Sequence, residues 1–314
     1  PLPIILGHEG VGRIEDIKPE KSRKKKDLLG RLLNKGDLVI WDRGLTCGNC
    51  YFCTIKKEPY LCPERQVYGI SFTSSRTPYL LGCYSEYIHL LSGTKLIKIE
   101  KDIDPSLLVA AACSGATAAH ALELSCLKEG DSVVIQGPGP LGIFAVAMAH
   151  EQGAADIIVI GSSVSRKRLK ICQEFGATAI LVRDETNPEE RLTYLRDRTN
   201  GRGADIVIEC SGSPRALKEG LRMAAPGGRY LIPGMATPTG EVPLDVYHDI
   251  SRKNVTIQGV WTNDTRHLYQ AVKLILSQKY PFEKMITRTF NLKEVTEALK
   301  TVKTRQAVKA VIVP

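Results

Sequence analysis

Four cysteines stand at Cys47, Cys50, Cys53 and Cys62, separated by two, two and eight residues. Thiolates this close, in a stretch (44–66) with few apolar runs, suit a closed tetrahedral site for one zinc ion. The metal would hold together a lobe with little core of its own. A disulfide pair fits poorly, because three of the cysteines recur at every third residue. An iron–sulfur cluster of the bacterial ferredoxin spacing would need three residues before the last cysteine, where this chain has eight. A second set is dispersed: His8, Glu9 and Cys113. Their spacing leaves two readings open. One is a shared metal site; the other is an ordinary histidine and a small buried thiol in Ala110-Ala-Ala-Cys-Ser-Gly-Ala-Thr117.

The third chemical signal is Gly137-Pro-Gly-Pro-Leu-Gly142. A run that reads as a buried strand, Asp131–Gln136, precedes it, and Ile143–Gln152 follows with Ala, Met and Phe at helical intervals. Strand, G-x-G-x-x-G, helix is the context of a dinucleotide-binding turn. Gly137 and Gly139 allow a tight turn and let a pyrophosphate approach the backbone around Pro138. Gly142 lets the helix pack closely on its strand, and amides at the helix start, near Leu141, face the phosphate charge.

These groups need elements to hold them. Up to about Pro105 the chain reads as short strands and turns, with strands at Leu38–Trp41, Tyr84–Leu91 and Thr94–Ile99. That pattern suggests a small β-barrel-like domain. Ser106–Leu127 reads as helix. From Asp131 strands alternate with helices: Ser132–Gln136, Ile157–Ile160, Ala179–Leu181, Ile206–Glu209, Tyr230–Pro233 and Thr256–Val260 are the strands. This alternation argues an α/β fold with a doubly wound parallel sheet. Helical stretches near His267–Gln278 and Leu292–Val302 and a strand at Ala307–Val313 close the chain.

Composition sets the bounds. The chain has 314 residues, 43% hydrophobic and 25% charged, enough for two domains of an ordinary globular protein. No apolar run reaches membrane-span length, so no membrane partner is expected. Much of the net charge of +9 sits in Lys18, Lys21, Arg23, Lys24, Lys25 and Lys26. No aromatic residues interleave with that run, so it reads as a solvated loop and no nucleic-acid partner is expected. Nine cysteines, an odd number, fit metal ligation in a reducing cytoplasm better than a disulfide framework. The opening at Pro1-Leu-Pro-Ile-Ile-Leu6 enters mid-pattern, and a fragment is expected.

Gly7-His-Glu-Gly-Val-Gly12, the four-cysteine lobe, Cys113-Ser-Gly-Ala-Thr117 and the glycine loop resemble, in order, the zinc-dependent medium-chain alcohol dehydrogenases. The similarity runs the length of the chain. It implies a GroES-like catalytic domain (1–114), a Rossmann NAD(P)-binding domain (115–262), and a segment returning to the first (263–314). It implies catalytic-zinc ligands at His8 and Cys113 with acidic Glu9 beside them, and structural-zinc ligands at Cys47, Cys50, Cys53 and Cys62. Thr117 would lie near the nicotinamide and Lys309 near the pyrophosphate. An upstream cysteine ligand and a hydroxyl-bearing companion would complete the catalytic site. The implied reaction is hydride transfer between a small-molecule alcohol or polyol, or its carbonyl, and NAD(P), in a homodimer or homotetramer. Zinc would act as Lewis acid on the substrate oxygen. The alternatives are a zinc-free quinone-type reductase and a non-catalytic dinucleotide-binding relative.

NAD users place an acid at the end of the second Rossmann strand. Here Ser163 falls there, followed by Arg166, Lys167 and Arg168. Without the carboxylate, and with the basic trio near, the expectation leans to NADP.

Overall fold

A computed structural model describes residues 2–18 and 25–314. Within the basic run, Lys21, Arg23 and Lys24 lie outside the described residues, while Lys18 and Lys26 are exposed and Lys25 is half-buried. The chain divides into two compact units. One runs to Ala116 and resumes at Asn263–Pro314; the other is Thr117–Thr262.

The first unit opens with β1 (Val11–Arg13), β2 (Leu38–Trp41), β3 (Gly44–Leu45), the one-turn helix α1 (Tyr51–Thr54), β4 (Gln66–Val67), β5 (Leu96–Lys98) and α2 (Ser106–Val109). β2 pairs antiparallel with both β1 and β5, and all four of its residues are buried. β3 and β4 pair antiparallel and bracket the cysteine lobe. Beneath them Trp41, Tyr68, Val39, Leu33 and Leu81 form an apolar cluster.

Two expectations differ here. Tyr84–Leu91 is not a strand. The amides of Cys83 and Tyr84 donate to the carbonyls of Gly7 and Leu6, and the Ser85 hydroxyl donates to the Gly82 and Tyr87 carbonyls. Ile88 and Leu90 still pack on the apolar cluster, so the alternation marks burial without a ladder. The helical run expected over Ser106–Leu127 is interrupted. A 3-10 turn, Ala110–Ala112, follows α2, and Cys113 leaves helical geometry at φ −129° and ψ −71°.

The second unit takes α3 (Ser114–Ser125) from Thr117 onward. It continues with β6 (Ser132–Gln136), α4 (Pro140–Glu151), β7 (Asp156–Gly161), α5 (Arg166–Glu174), β8 (Ala179–Val182), α6 (Pro188–Arg198), β9 (Ala204–Glu209), α7 (Pro214–Met223), β10 (Ala224–Ile232) and β11 (Thr256–Gly259). The six strands form one parallel sheet in the order β11-β10-β9-β6-β7-β8. Both faces are covered, which is why all five residues of β6 are buried around its apolar centre, Val133–Ile135. Chain order reverses at β6, flanked by β7 on one side and β9 on the other. Ligands of open α/β sheets bind in the crevice beyond such strand ends.

The chain then returns to the first unit with α8 (Thr265–Leu276), β12 (Ile286–Asn291), α9 (Val295–Lys303) and β13 (Lys309–Val313). β12 and β13 pair in parallel. Asp264 caps α8 through the Arg266 amide, and the Thr265 hydroxyl donates to the Asp42 carboxylate at 2.7 Å, fixing α8 to the end of β2. No single helix among the described residues is long and apolar enough to cross a membrane.

Candidate metal centres and dinucleotide site

The cysteine lobe brings its four sulfurs together. All lie within 4.8 Å of one another, with Cys47–Cys53 at 4.0 Å and Cys47–Cys62 at 3.5 Å. A tetrahedron with zinc–sulfur bonds of about 2.3 Å has edges of about 3.8 Å. The donor set therefore fits a zinc ion closely. Local geometry explains the assembly. Gly48 takes a positive φ of 75° between the first two ligands, Cys50 caps α1, Cys53 sits on it, and Cys62 ends the 3-10 turn Pro59–Leu61. α1 has no buried residue, so packing alone does little to hold this lobe. The thiols are unequal. A hydrogen bond from the Asn49 amide holds Cys47 down at about 7, whereas burial pushes Cys53 up to about 12.

The dispersed set converges as well. One ligand atom each from His8, Glu9 and Cys113 lies within 4.8 Å of the others. His8 and Glu9 sit in the extended segment before β1. Cys113 occupies the interruption between the 3-10 turn and α3, and that break turns a thiol out of the helical ladder. Gly10 fixes the segment's approach. A Cβ there would collide with the Trp41 ring and lie 2.7 Å from the Cys83 sulfur. Burial lowers the His8 pKa, with the Arg43 guanidinium adding to the effect, so the imidazole is neutral with a lone pair to offer. Burial raises the Cys113 thiol, and Arg43 works against that rise. A nitrogen, a sulfur and a carboxylate in one half-buried cluster is a donor set that zinc accepts. Lys309, on β13, pairs its ammonium with the Glu9 carboxylate.

In the second unit the glycine loop spans the end of β6 and the start of α4. Gly137 has φ 115°, and a Cβ on it would lie 2.9 Å from the Ser211 amide nitrogen, just past the end of β9. The loop thus sits at the reversal of strand order. A Cβ on Gly142 would collide with the Gly137 carbonyl, so the helix can start only with glycine there. Gly139, the N-cap of α4, faces open space, and nothing lies within 4 Å of where its Cβ would be. Pro140 occupies the first helical position, and no side chain caps the helix, leaving first-turn amides such as Leu141 and Gly142 without intrahelical acceptors. An open cradle before free amides fits a diphosphate. Pro138 packs against Gly161 at the end of β7, and Thr117 is buried on α3.

Ser163, in the 3-10 turn after β7, carries no acid itself, but one is beside it. Its amide and its hydroxyl both donate to Oδ2 of Asp184, each at 2.8 Å. Arg166 pairs with Glu185, and Arg183 holds Oδ1 of Asp184 at 3.1 Å. Lys167 is exposed, and Arg168 is half-buried on α5.

With this geometry in view, likeness to known proteins is decisive. Residues 1–101 match the alcohol dehydrogenase GroES-like domain and residues 140–277 the zinc-binding dehydrogenase family. The 5-exo-hydroxycamphor dehydrogenase of Pseudomonas putida is 34% identical over 99% of this chain and 84% of its own length. The chain belongs to the zinc-dependent medium-chain alcohol dehydrogenases. An alcohol dehydrogenase from Thermotoga maritima superposes with a TM-score of 0.95 at 45% identity, covering 100% of this chain and 85% of that one. The L-threonine 3-dehydrogenase of Bacillus subtilis (strain 168) is 28% identical over 99% of this chain and 82% of its own. An NADP-bound zinc-binding dehydrogenase from Sinorhizobium meliloti 1021 shares the fold, with a TM-score of 0.82 at 23% identity over 100% of this chain and 84% of that one. As a member of this family the protein transfers hydride between an alcohol and NAD(P), on a GroES-like domain and a Rossmann domain.

Sequence reasoning missed three residues that a dehydrogenase site of this kind must reckon with. Arg43, buried at the end of β2, acts on both His8 and Cys113. Asp42, beside it, ties β2 to α8. Asp184 faces Ser163. An Arg-Asp-Glu run immediately after an apolar strand was the available sign of the last.

Proposed function

We propose that His8 and Cys113, with Glu9 beside them, hold the catalytic zinc of an alcohol or polyol dehydrogenase, and that Cys47, Cys50, Cys53 and Cys62 hold a structural zinc. The convergence of one imidazole, one carboxylate and one thiol within 4.8 Å, from two points 105 positions apart in sequence, carries the reading. Zinc bound there would draw electron density from the substrate oxygen and make its proton easier to lose. The protein's own groups do the rest. His8 is kept neutral by burial, so no proton competes for its lone pair. Glu9 sets the local charge, and Lys309 balances it and fixes its direction. Gly137, Pro138, Gly139, Leu141 and Gly142 would seat the diphosphate of the dinucleotide on the α4 amides, with Thr117 toward its nicotinamide and Ser163 toward its adenosine ribose. The basic trio supports NADP only as far as its charges are available, and Arg166 is already paired.

His8→Ala tests the assignment. Zinc content of the purified protein, measured by plasma mass spectrometry, should fall by one ion per chain, and oxidation across a panel of alcohols and polyols should be lost. Unchanged zinc content would move the ligand role elsewhere.

We also propose self-association as a homodimer or homotetramer in a reducing cytoplasm. β11 ends the sheet with an open edge among the described residues, and Ile257 on it is 37% exposed. Such an edge favours pairing with another chain.

A further inference from the structure

We propose that Asp184, reaching across from the end of β8, is the negative charge that sets cofactor preference, so that the protein favours NAD over NADP. This rests on the reading of the Gly137–Gly142 loop as the dinucleotide site.

The argument starts from strand ends. The residue that follows the second Rossmann strand meets the adenosine ribose, and an acid there rejects a 2′-phosphate. Ser163 holds that place and on its own would admit the phosphate. The sheet, however, sets β8 beside β7 in register, Gly161 opposite Val182. The two 3-10 turns that follow, Ser163–Ser165 and Arg183–Glu185, are therefore neighbours. Asp184 uses this adjacency. One of its oxygens accepts both the amide and the hydroxyl of Ser163, at 2.8 Å each. Those are the donors a 2′-phosphate would need at this position, and both are taken by a carboxylate.

The carboxylate stays charged. The Ser163 amide, then its hydroxyl, then Arg183 hold it down to about 2, so it is ionised throughout the neutral range. Arg183 sits on the other oxygen, Oδ1, at 3.1 Å and leaves Oδ2 facing Ser163, while Arg166 is tied to Glu185. A phosphate entering beside Ser163 would meet Asp184 at contact distance. Discrimination between two ligands is a difference of affinities, and a fixed like charge is an effective way to create it. A free ribose hydroxyl, being neutral and a donor, meets no such repulsion. The acid that NAD-binding sheets place at the end of the second strand is thereby supplied from the adjacent strand.

Titration with NADH and with NADPH, followed by nicotinamide fluorescence, tests this without knowledge of the alcohol. The protein should bind NADH at least about tenfold more tightly than NADPH, a gap of about one logarithmic unit in Kd. Asp184→Asn should narrow the gap chiefly by tightening NADPH. Glu185→Gln, which releases Arg166 and leaves Asp184 in place, should narrow it less. Raising the salt concentration on the unaltered protein should also narrow it, because exposed charges are screened; this arm holds even if a variant folds poorly. Tighter binding of NADPH by the unaltered protein, or a gap unmoved by Asp184→Asn, overturns the proposal and leaves the dinucleotide site standing. Failure to bind either nucleotide overturns both.

Discussion

The two metal-ligand clusters of the first unit are built in opposite ways. The four sulfurs of the lobe come from 16 consecutive positions, 47–62, on backbone with almost no buried side chains. The His8–Glu9–Cys113 cluster comes from two points 105 residues apart, each set by buried packing: Trp41 under Gly10 and the broken helical run at Cys113. On the proposed assignment the lobe would depend on its metal for stability, because its one-turn helix buries no residue. The dispersed cluster would, on the same assignment, depend on the fold to bring its ligands together. Removing metal should therefore act on stability in the first and on chemistry in the second.

The sharpest break of this contrast is Cys62→Ser. Cys62 is 5% exposed, bonds the Cys47 amide through sulfur and closes the lobe onto β4. Loss of a structural-zinc ligand should lower the melting temperature by on the order of 10 °C. Limited proteolysis should cut first within 44–66. A lobe that stays protected in chelator after this change would show that packing, not metal, holds it. His8→Ala, by contrast, should remove activity while leaving the melting temperature within a few degrees.

Glu9→Gln probes the second cluster more gently. The amide keeps the shape and loses the charge, so Lys309 is left without its partner. Disturbing a group beside a metal ligand typically costs about 10–100-fold in metal affinity or activity. The expectation is a fall of that size in kcat, with zinc in the lobe unchanged and the melting temperature nearly so. Equal losses in kcat and in lobe zinc would mean the two clusters are coupled.

The same contrast explains what the sequence could disclose. Ligands that lie close in sequence announce themselves, as the four cysteines do, and so does a glycine loop framed by β6 and α4. Fully buried parallel strands are equally plain, since β6 and β7 have no solvent face to interrupt their apolar runs. Tyr84–Leu91 misled because alternation reports burial, and burial came from packing on the apolar cluster without a partner strand. The interruption at Cys113 was hidden in an Ala-rich run of high helix propensity, where tertiary packing decides the break. His8 and Cys113 became a pair only through resemblance to a family. Asp184 left only an acidic run after an apolar strand as a sign, because its role depends on which strand lies next to β7.

The finest test compares two glycines, one in each cluster. Gly10 is buried, and any Cβ would press on the Trp41 ring and the Cys83 sulfur. Gly10→Ala should cost about 1–3 kcal/mol by overpacking, and the shift should move His8 and weaken catalytic zinc as well. Gly48 lies between two lobe cysteines at φ 75°, with nothing within 4 Å of a Cβ. Gly48→Ala meets no neighbour and feels only the backbone cost of a left-handed conformation, about 1 kcal/mol. Four metal–sulfur bonds can hold that conformation in place, so the lobe should keep its zinc. Urea unfolding of the two metal-loaded variants should then show the larger loss at Gly10, accompanied by a fall in zinc content, and the smaller at Gly48 with zinc content unchanged. The reverse order would mean that the lobe depends on its backbone more than on its metal, and that the packing around His8 yields more easily than the contact with Trp41 implies.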